Sequence, residues 1–212
     1  MAEGLRERKK RETRQRISDI ATGLFLEQGF TAVTVADVAE AADVSVNTVY
    51  NYFPAKEDLF LDRIDAVKQR LSGFIRGRAK GESAARAVLR ELHDGIEAVS
   101  PAYGLNDDFH RFMAVIDGAP TLKARLWFLQ QEVVENTVAT LREETGAAPD
   151  DPLPLLVGGQ LAWIEGAVVG YINREMVARR DGAAVSRDAL VLLDEIEDLL
   201  SEKVLNYAVR TG

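Results

Sequence analysis

The stretch that most restricts what this chain can fold into is residues 35–56, VADVAEAADVSVNTVYNYFPAK, which encodes two short helices joined by a tight turn. Val35, Val38, Ala39 and Ala42 fall at i, i+3, i+4 and i+7 and put a small apolar stripe on one helical face. Thr34 is placed to cap that helix, and Asp37 completes a capping-box pair. Asp43 and Val44 form the turn, Ser45 caps the second helix, and Pro54 ends it. In that second helix the spacing predicts that Val46, Val49, Tyr50 and Phe53 are buried. Asn47, Thr48, Asn51 and Tyr52 then lie on or beside the outward face. An outward row of short polar and aromatic side chains suits a helix that enters a DNA groove. Asn pairs bidentately with adenine, and Thr and Tyr reach phosphates or a thymine methyl. Periodicity alone leaves a surface hairpin without any partner equally open.

The same helical period continues on both sides. Residues 14–28 carry Ile17, Ile20, Ala21, Leu24 and Phe25 on one face, with Gly29 as the stop. Residues 57–76 carry Phe60, Ile64, Val67, Leu71 and Phe74, with Glu57 and Asp58 at the start and Arg76 at the end, as the helix dipole favours. Further helices are expected over 82–100, 107–117 and 121–145. The turn-rich loop GAAPDDPLP follows, and two more helices cover 155–178 and 186–207. The first of these is apolar nearly all round, but Gln160 and Glu165 interrupt it, which favours a buried helix over a membrane span. The expected fold is all-α, with about nine helices.

Charge separates one end of the chain from the rest. Residues 1–16 hold seven basic residues, Arg6, Arg8, Lys9, Lys10, Arg11, Arg14 and Arg16, against Glu3, Glu7 and Glu12. The remainder carries 19 basic and 31 acidic residues, so a basic arm precedes an acidic body and focuses attraction for DNA at one end. Without cysteine there is neither a disulfide framework nor a zinc–thiolate site. The charged N-terminus has no apolar signal segment, and a cytoplasmic protein is expected. No catalytic constellation stands out. His93 and His110 lie in ordinary helical contexts, no phosphate-binding glycine loop is present, and His110 with Asp107 or Asp108 lacks a diagnostic metal spacing. No enzyme, cofactor or metal is called for.

Three runs, GLFLEQGF, TVADVAEAADVS and TVYNYFPAKEDLF, together resemble the DNA-binding domain of the tetracycline repressor (TetR) family. The resemblance covers about the first quarter of the chain and continues beyond it as a likeness of length and helical layout. It implies a basic N-terminal arm over 1–13, a three-helix helix-turn-helix DNA-binding domain over 14–56, a connecting helix over 57–76, and a larger ligand-binding and dimerisation domain over 77–212. It implies contacts to double-stranded DNA by Arg14, Thr34, Ser45, Val46, Asn47, Thr48, Tyr50, Asn51, Tyr52 and Lys56. Asn47 and Asn51 are candidates for base edges and Thr34, Tyr50, Tyr52 and Lys56 for phosphates. Val46 departs from the polar residue expected there. The resemblance further implies a homodimer through helices 155–178 and 186–207, and a small-molecule effector bound in the second domain. Candidate pocket residues are Phe74, Phe109, His110, Phe112, Met113, Trp127, Gln131, Trp163, Glu165 and Asn173, a set that favours a hydrophobic or amphipathic effector. A helical interaction scaffold without DNA binding and a ligand-independent DNA-binding regulator remain as alternatives.

Overall fold

The computed structural model describes residues 4–62 and 65–211. Eleven α-helices, a short 3-10 helix (Pro101–Tyr103) and no strand occur among them. The chain divides into two compact units: one runs to Asp65 and takes in Arg111–Trp127, and the other holds Ala66–His110 and the chain from Phe128 onward.

In the first unit, α1 (Leu5–Gln28), α2 (Val35–Ala41), α3 (Val46–Tyr52) and α4 (Lys56–Phe60) gather around Phe25. The Phe25 ring lies 5.0 Å from Phe30 and 5.8 Å from Phe60, the latter edge-on. Ile17, Ala21, Val38, Val49, Phe53 and Leu59 complete that core. Helix α1 begins at Leu5, not at Arg14. The run RERKKRETR has neither Gly nor Pro and is rich in strong helix formers, so nothing stops the helix from continuing toward the N-terminus. Met1, Ala2 and Glu3 of the expected arm lie outside the described residues. At the other end Gly29, at φ +87°, stops α1 as expected.

The single helix expected over 57–76 is divided into α4 and α5 (Asp65–Gly77), and Ile64 of its expected stripe lies outside the described residues. Leu59, Phe60 and Leu61 are all buried. Three consecutive inward side chains span roughly 200° of a helix, more than one face offers, and the backbone leaves helical geometry at Leu61.

In the second unit, α5 and α6 (Ala84–Glu97) pack with α9 (Leu153–Val177) and α10 (Gly182–Asp198) around Leu71, Leu92, Ile96, Leu161, Ile164, Val168 and Leu193. Helix α8 (Pro120–Thr145) enters this unit from Phe128 onward, α11 (Glu202–Leu205) comes last, and most of α7 (Phe109–Asp117) belongs to the first unit. The helix expected over 186–207 is two helices, because Ser201 caps α11 by accepting the Val204 amide. Helix α9 is long and apolar enough to cross a bilayer, yet Val157, Leu161, Ile164, Val168 and Ile172 are buried in this core. Close approach of α8 and α9 requires Gly158, since an added Cβ would stand 2.9 Å from a Val138 methyl.

The last residues are fastened to the start of the second unit. Backbone bonds join Gly81 and Glu82 to Arg210, at 2.9 and 3.0 Å. Buried Arg78 donates to the carbonyls of Ala208 and Ile75 and pairs with Glu144 at 2.7 Å.

Candidate nucleic-acid interface

The helix-turn-helix is assembled from local signals. The Thr34 hydroxyl accepts the Asp37 amide, while the Asp37 carboxylate accepts the Thr34 amide at 2.7 Å and its hydroxyl at 2.8 Å. These bonds hold the Asp37 carboxyl below its usual range. At the far end of α2 the Val44 amide donates to Ala39 and the Asp43 amide to Glu40, a Schellman arrangement. It places Asp43 at φ +52°, a left-handed conformation that a short polar side chain tolerates better than most. Ser45 then caps α3 by accepting the Thr48 amide at 3.0 Å, and the two hydroxyls bond at 2.8 Å.

Helix α3 is anchored by Val49 and Phe53, both buried. Its exposed arc is Val46, Asn47, Tyr50 and Asn51, with Val46 41% and Tyr50 49% exposed. This corrects the expected orientation: Val46 and Tyr50 face outward, while Thr48 and Tyr52 are half-buried. With 100° between residues, the outward arc is rotated by roughly 100°, one residue position, from the one expected. The rotation follows from the anchor pair Val49 and Phe53, which lies toward the Thr48 and Tyr52 side of the helix.

Arg14, Arg16 and Lys56 each bond a backbone carbonyl within this unit. Arg14 donates to the Tyr52 carbonyl at 2.7 Å, pairs with Asp62 at 2.7 Å, and lies 4.5 Å over the Phe53 ring. Arg16 donates to the Ala42 carbonyl at 2.6 Å. Lys56 donates to the Phe30 carbonyl at 2.5 Å and sits 4.4 Å over the Phe30 ring, where burial lowers its pKa. Arg14 and Lys56, expected at the DNA backbone, thus hold the ends of α3 and α4 against α1 and the loop that follows it. Arg16 and Asp62 were missed as members of this clamp, because no local pattern marks residues that meet across 26 and 48 positions. Thr34, Ser45 and Thr48 use their hydroxyls in the caps. The exposed cationic side chains Arg6, Arg8, Lys9 and Lys10 lie along the first turns of α1.

The candidate pocket residues are divided between the two units. Phe112, Met113 and Trp127 belong to the first unit, where Phe112 stacks on Phe60 at 4.6 Å. In the second unit, Glu165 pairs with Arg70 at 3.2 Å, and Arg70 also donates to the Ala102 carbonyl and covers the Tyr103 ring at 4.5 Å. Next to Tyr103, Gly104 at φ +86° leaves the space in which Phe109 and the Asn173 amide oxygen approach it. Phe74 packs on the core, and His110 bonds the Asp107 carbonyl. Gln131 is exposed, and Trp127 and Trp163 are 58% and 64% exposed. Trp163 therefore stands on the outward stripe of α9 instead of walling a cavity within its unit, because Ile164 and Glu165 take the inward positions.

Residues 17–62 match the family described as bacterial regulatory proteins, tetR family. The chain is 31% identical over 156 residues to the transcriptional regulator TcmR of Streptomyces glaucescens, covering 70% of this chain and 67% of that protein. It is 41% identical over 68 residues to the transcriptional repressor KstR of Mycolicibacterium smegmatis, covering 29% of this chain and only 33% of that protein. Among solved structures, NalD, the secondary repressor of the MexAB-OprM multidrug efflux pump in Pseudomonas aeruginosa, matches with a TM-score of 0.53 at 18% identity, covering 87% of this chain and 96% of that one. At that identity the structural likeness speaks for the fold.

Proposed function

The chain belongs to the tetR family of bacterial transcription regulators, and from that premise we propose that it is a homodimeric, ligand-responsive repressor. The observation that carries the reading is α3: a helix capped at Ser45, anchored by Val49 and Phe53, and presenting an uncharged arc of Val46, Asn47, Tyr50 and Asn51. Two such helices related by a two-fold axis read a near-palindromic operator in successive major grooves, about 34 Å apart on B-DNA. Asn47 and Asn51 reach base edges, and the basic turns of α1 supply phosphate attraction. That KstR is a transcriptional repressor favours repression over activation.

Dimerisation through α9 and α10 is supported by the outward face of α9, where Leu156, Trp163 and Val177 are exposed together with Val191 on α10. Gly159, Gly166 and Gly170 lie on the same helix, and a Cβ on any of them would meet nothing within 4 Å. A mid-helix glycine costs about 0.5–1 kcal/mol relative to alanine. No packing among the described residues requires these three, and a closely approaching partner helix would.

Effector response is supported by the way α5 is tied to α8. Thr140 bonds Ser72 at 2.9 Å, Ser72 bonds the Asn136 carbonyl, and Asn136 donates to the Lys68 carbonyl. A hydrophobic or amphipathic effector that repacks α8 moves α5 with it, and a coupling of about 1–3 kcal/mol is enough to release DNA. Titration of labelled duplex DNA at increasing salt tests the reading. Steeply salt-dependent binding with two chains per duplex is expected. No binding even at low salt would favour the helical scaffold instead.

A further inference from the structure

We propose that Val46 is a specificity-determining residue that reads the C5-methyl group of a thymine in each operator half-site. The inference rests on the DNA-binding reading above and assigns the class of base pair that α3 recognises. Val46 and Tyr50 are both exposed large apolar side chains, and they occur one turn apart on the same short helix. Neither contributes to the core, which takes Val49 and Phe53 from that helix. The outward arc holds no charged residue, so its selectivity comes from shape, amide hydrogen bonds and apolar contact.

The major-groove edge of an A·T pair presents an acceptor and a donor on adenine, an acceptor on thymine, and then the thymine methyl. An amide beside an apolar side chain is complementary to that edge, and α3 offers Val46 next to Asn47, with Asn51 one turn further along. A G·C pair has no methyl at the corresponding place, so a branched aliphatic side chain there gains nothing from it. Tyr50, four residues on from Val46 along α3, lengthens the exposed apolar strip by one turn, about 5.4 Å, enough to span one to two base steps.

Uracil for thymine replacement deletes the methyl and leaves every hydrogen-bonding group in place, and it gives a direct test. A duplex recovered by selection from a random library is synthesised with each thymine in turn replaced by uracil, symmetrically in both half-sites. Each duplex is titrated with the full-length wild-type chain and with Val46→Ala. For the wild type, one position is expected to weaken binding by about fourfold per half-site, the equilibrium equivalent of one buried methylene. Val46→Ala is expected to bind the thymine duplex more weakly and to be indifferent to uracil at that same position. Because Val46 is exposed, the variant keeps its fold, which circular dichroism verifies. A wild type indifferent to uracil everywhere, or a Val46→Ala variant with the full uracil penalty, would overturn the inference while leaving the DNA-binding reading intact. Recovery of no motif from the library would overturn both.

Discussion

Replacing Arg14 separates a clamp from a phosphate contact. Its guanidinium bonds the Tyr52 carbonyl at the end of α3, pairs with Asp62, whose side chain is only 11% exposed, and covers the Phe53 ring. A hydrogen bond to a charged partner contributes about 1.5–3 kcal/mol, and a cation over an aromatic face adds about 0.5–1 kcal/mol. Arg14 is itself 36% exposed, so solvent screening reduces the ionic part. Arg14→Ala is therefore expected to cost about 2–4 kcal/mol of local stability, partly because it strands the Asp62 carboxylate. Hydrogen exchange of the Val49 and Phe53 amides, both bonded within α3, reads this directly. Their exchange should accelerate by about 30- to 1,000-fold, unless global unfolding already sets the limit. Arg14→Lys keeps the charge but lacks the fork that reaches both partners, and should recover less than half of the loss. Wild-type exchange in Arg14→Ala, with uniformly weaker DNA binding and a salt slope reduced by about one, would refute the clamp and restore Arg14 to the DNA backbone.

Asn51→Ala should lose about 1–3 kcal/mol of preference for the selected duplex and keep its affinity for random DNA, as competition titrations resolve. Equal losses on both would remove Asn51 from the base edge. Gly166→Ala should stabilise the helix of an isolated subunit by about 0.5–1 kcal/mol and weaken the dimer, as sedimentation at decreasing concentration would reveal. Unchanged association would exclude that part of α9 from the interface. Burial, opposed by Arg70, raises the Glu165 carboxyl above its ordinary 4.5. Between that value and the raised one, the folded chain keeps a proton that the unfolded chain has released. Stability contributed by this group is therefore full below the window and lost as pH rises through it. Urea midpoints measured against pH should show this decline, and Glu165→Gln should flatten it; an identical decline in the variant would place its origin elsewhere.

The parts of this fold that were legible in the sequence are those encoded within a few residues. Thr34 with Asp37, the Asp43–Val44 turn, the Ser45 cap and the Gly29 stop each act locally, and the structure forms each of them. The facing of α3 was not legible in the same way. Val46 and Tyr50 share the apolar period of Val49 and Phe53, and hydrophobicity does not distinguish a residue facing the core from one facing outward. The break at Leu61 was hidden for a related reason, since three consecutive apolar residues continue a helical pattern until tertiary packing buries all of them. The Arg14–Asp62 and Arg70–Glu165 pairs join residues 48 and 95 positions apart, and no local pattern announces them. Trp163 illustrates the remaining difficulty, because an aromatic residue in an apolar helix suits a pocket, a core or an interface equally well.

The most direct test of the central claim is selection of bound sequences from a random duplex library by the wild type and by Asn51→Ala. An inverted repeat with half-sites about one helical turn apart, blurred at one position per half-site in the variant, is the result expected of a dimer reading through α3. A motif without two-fold symmetry, or one that Asn51→Ala leaves unchanged, would contradict it.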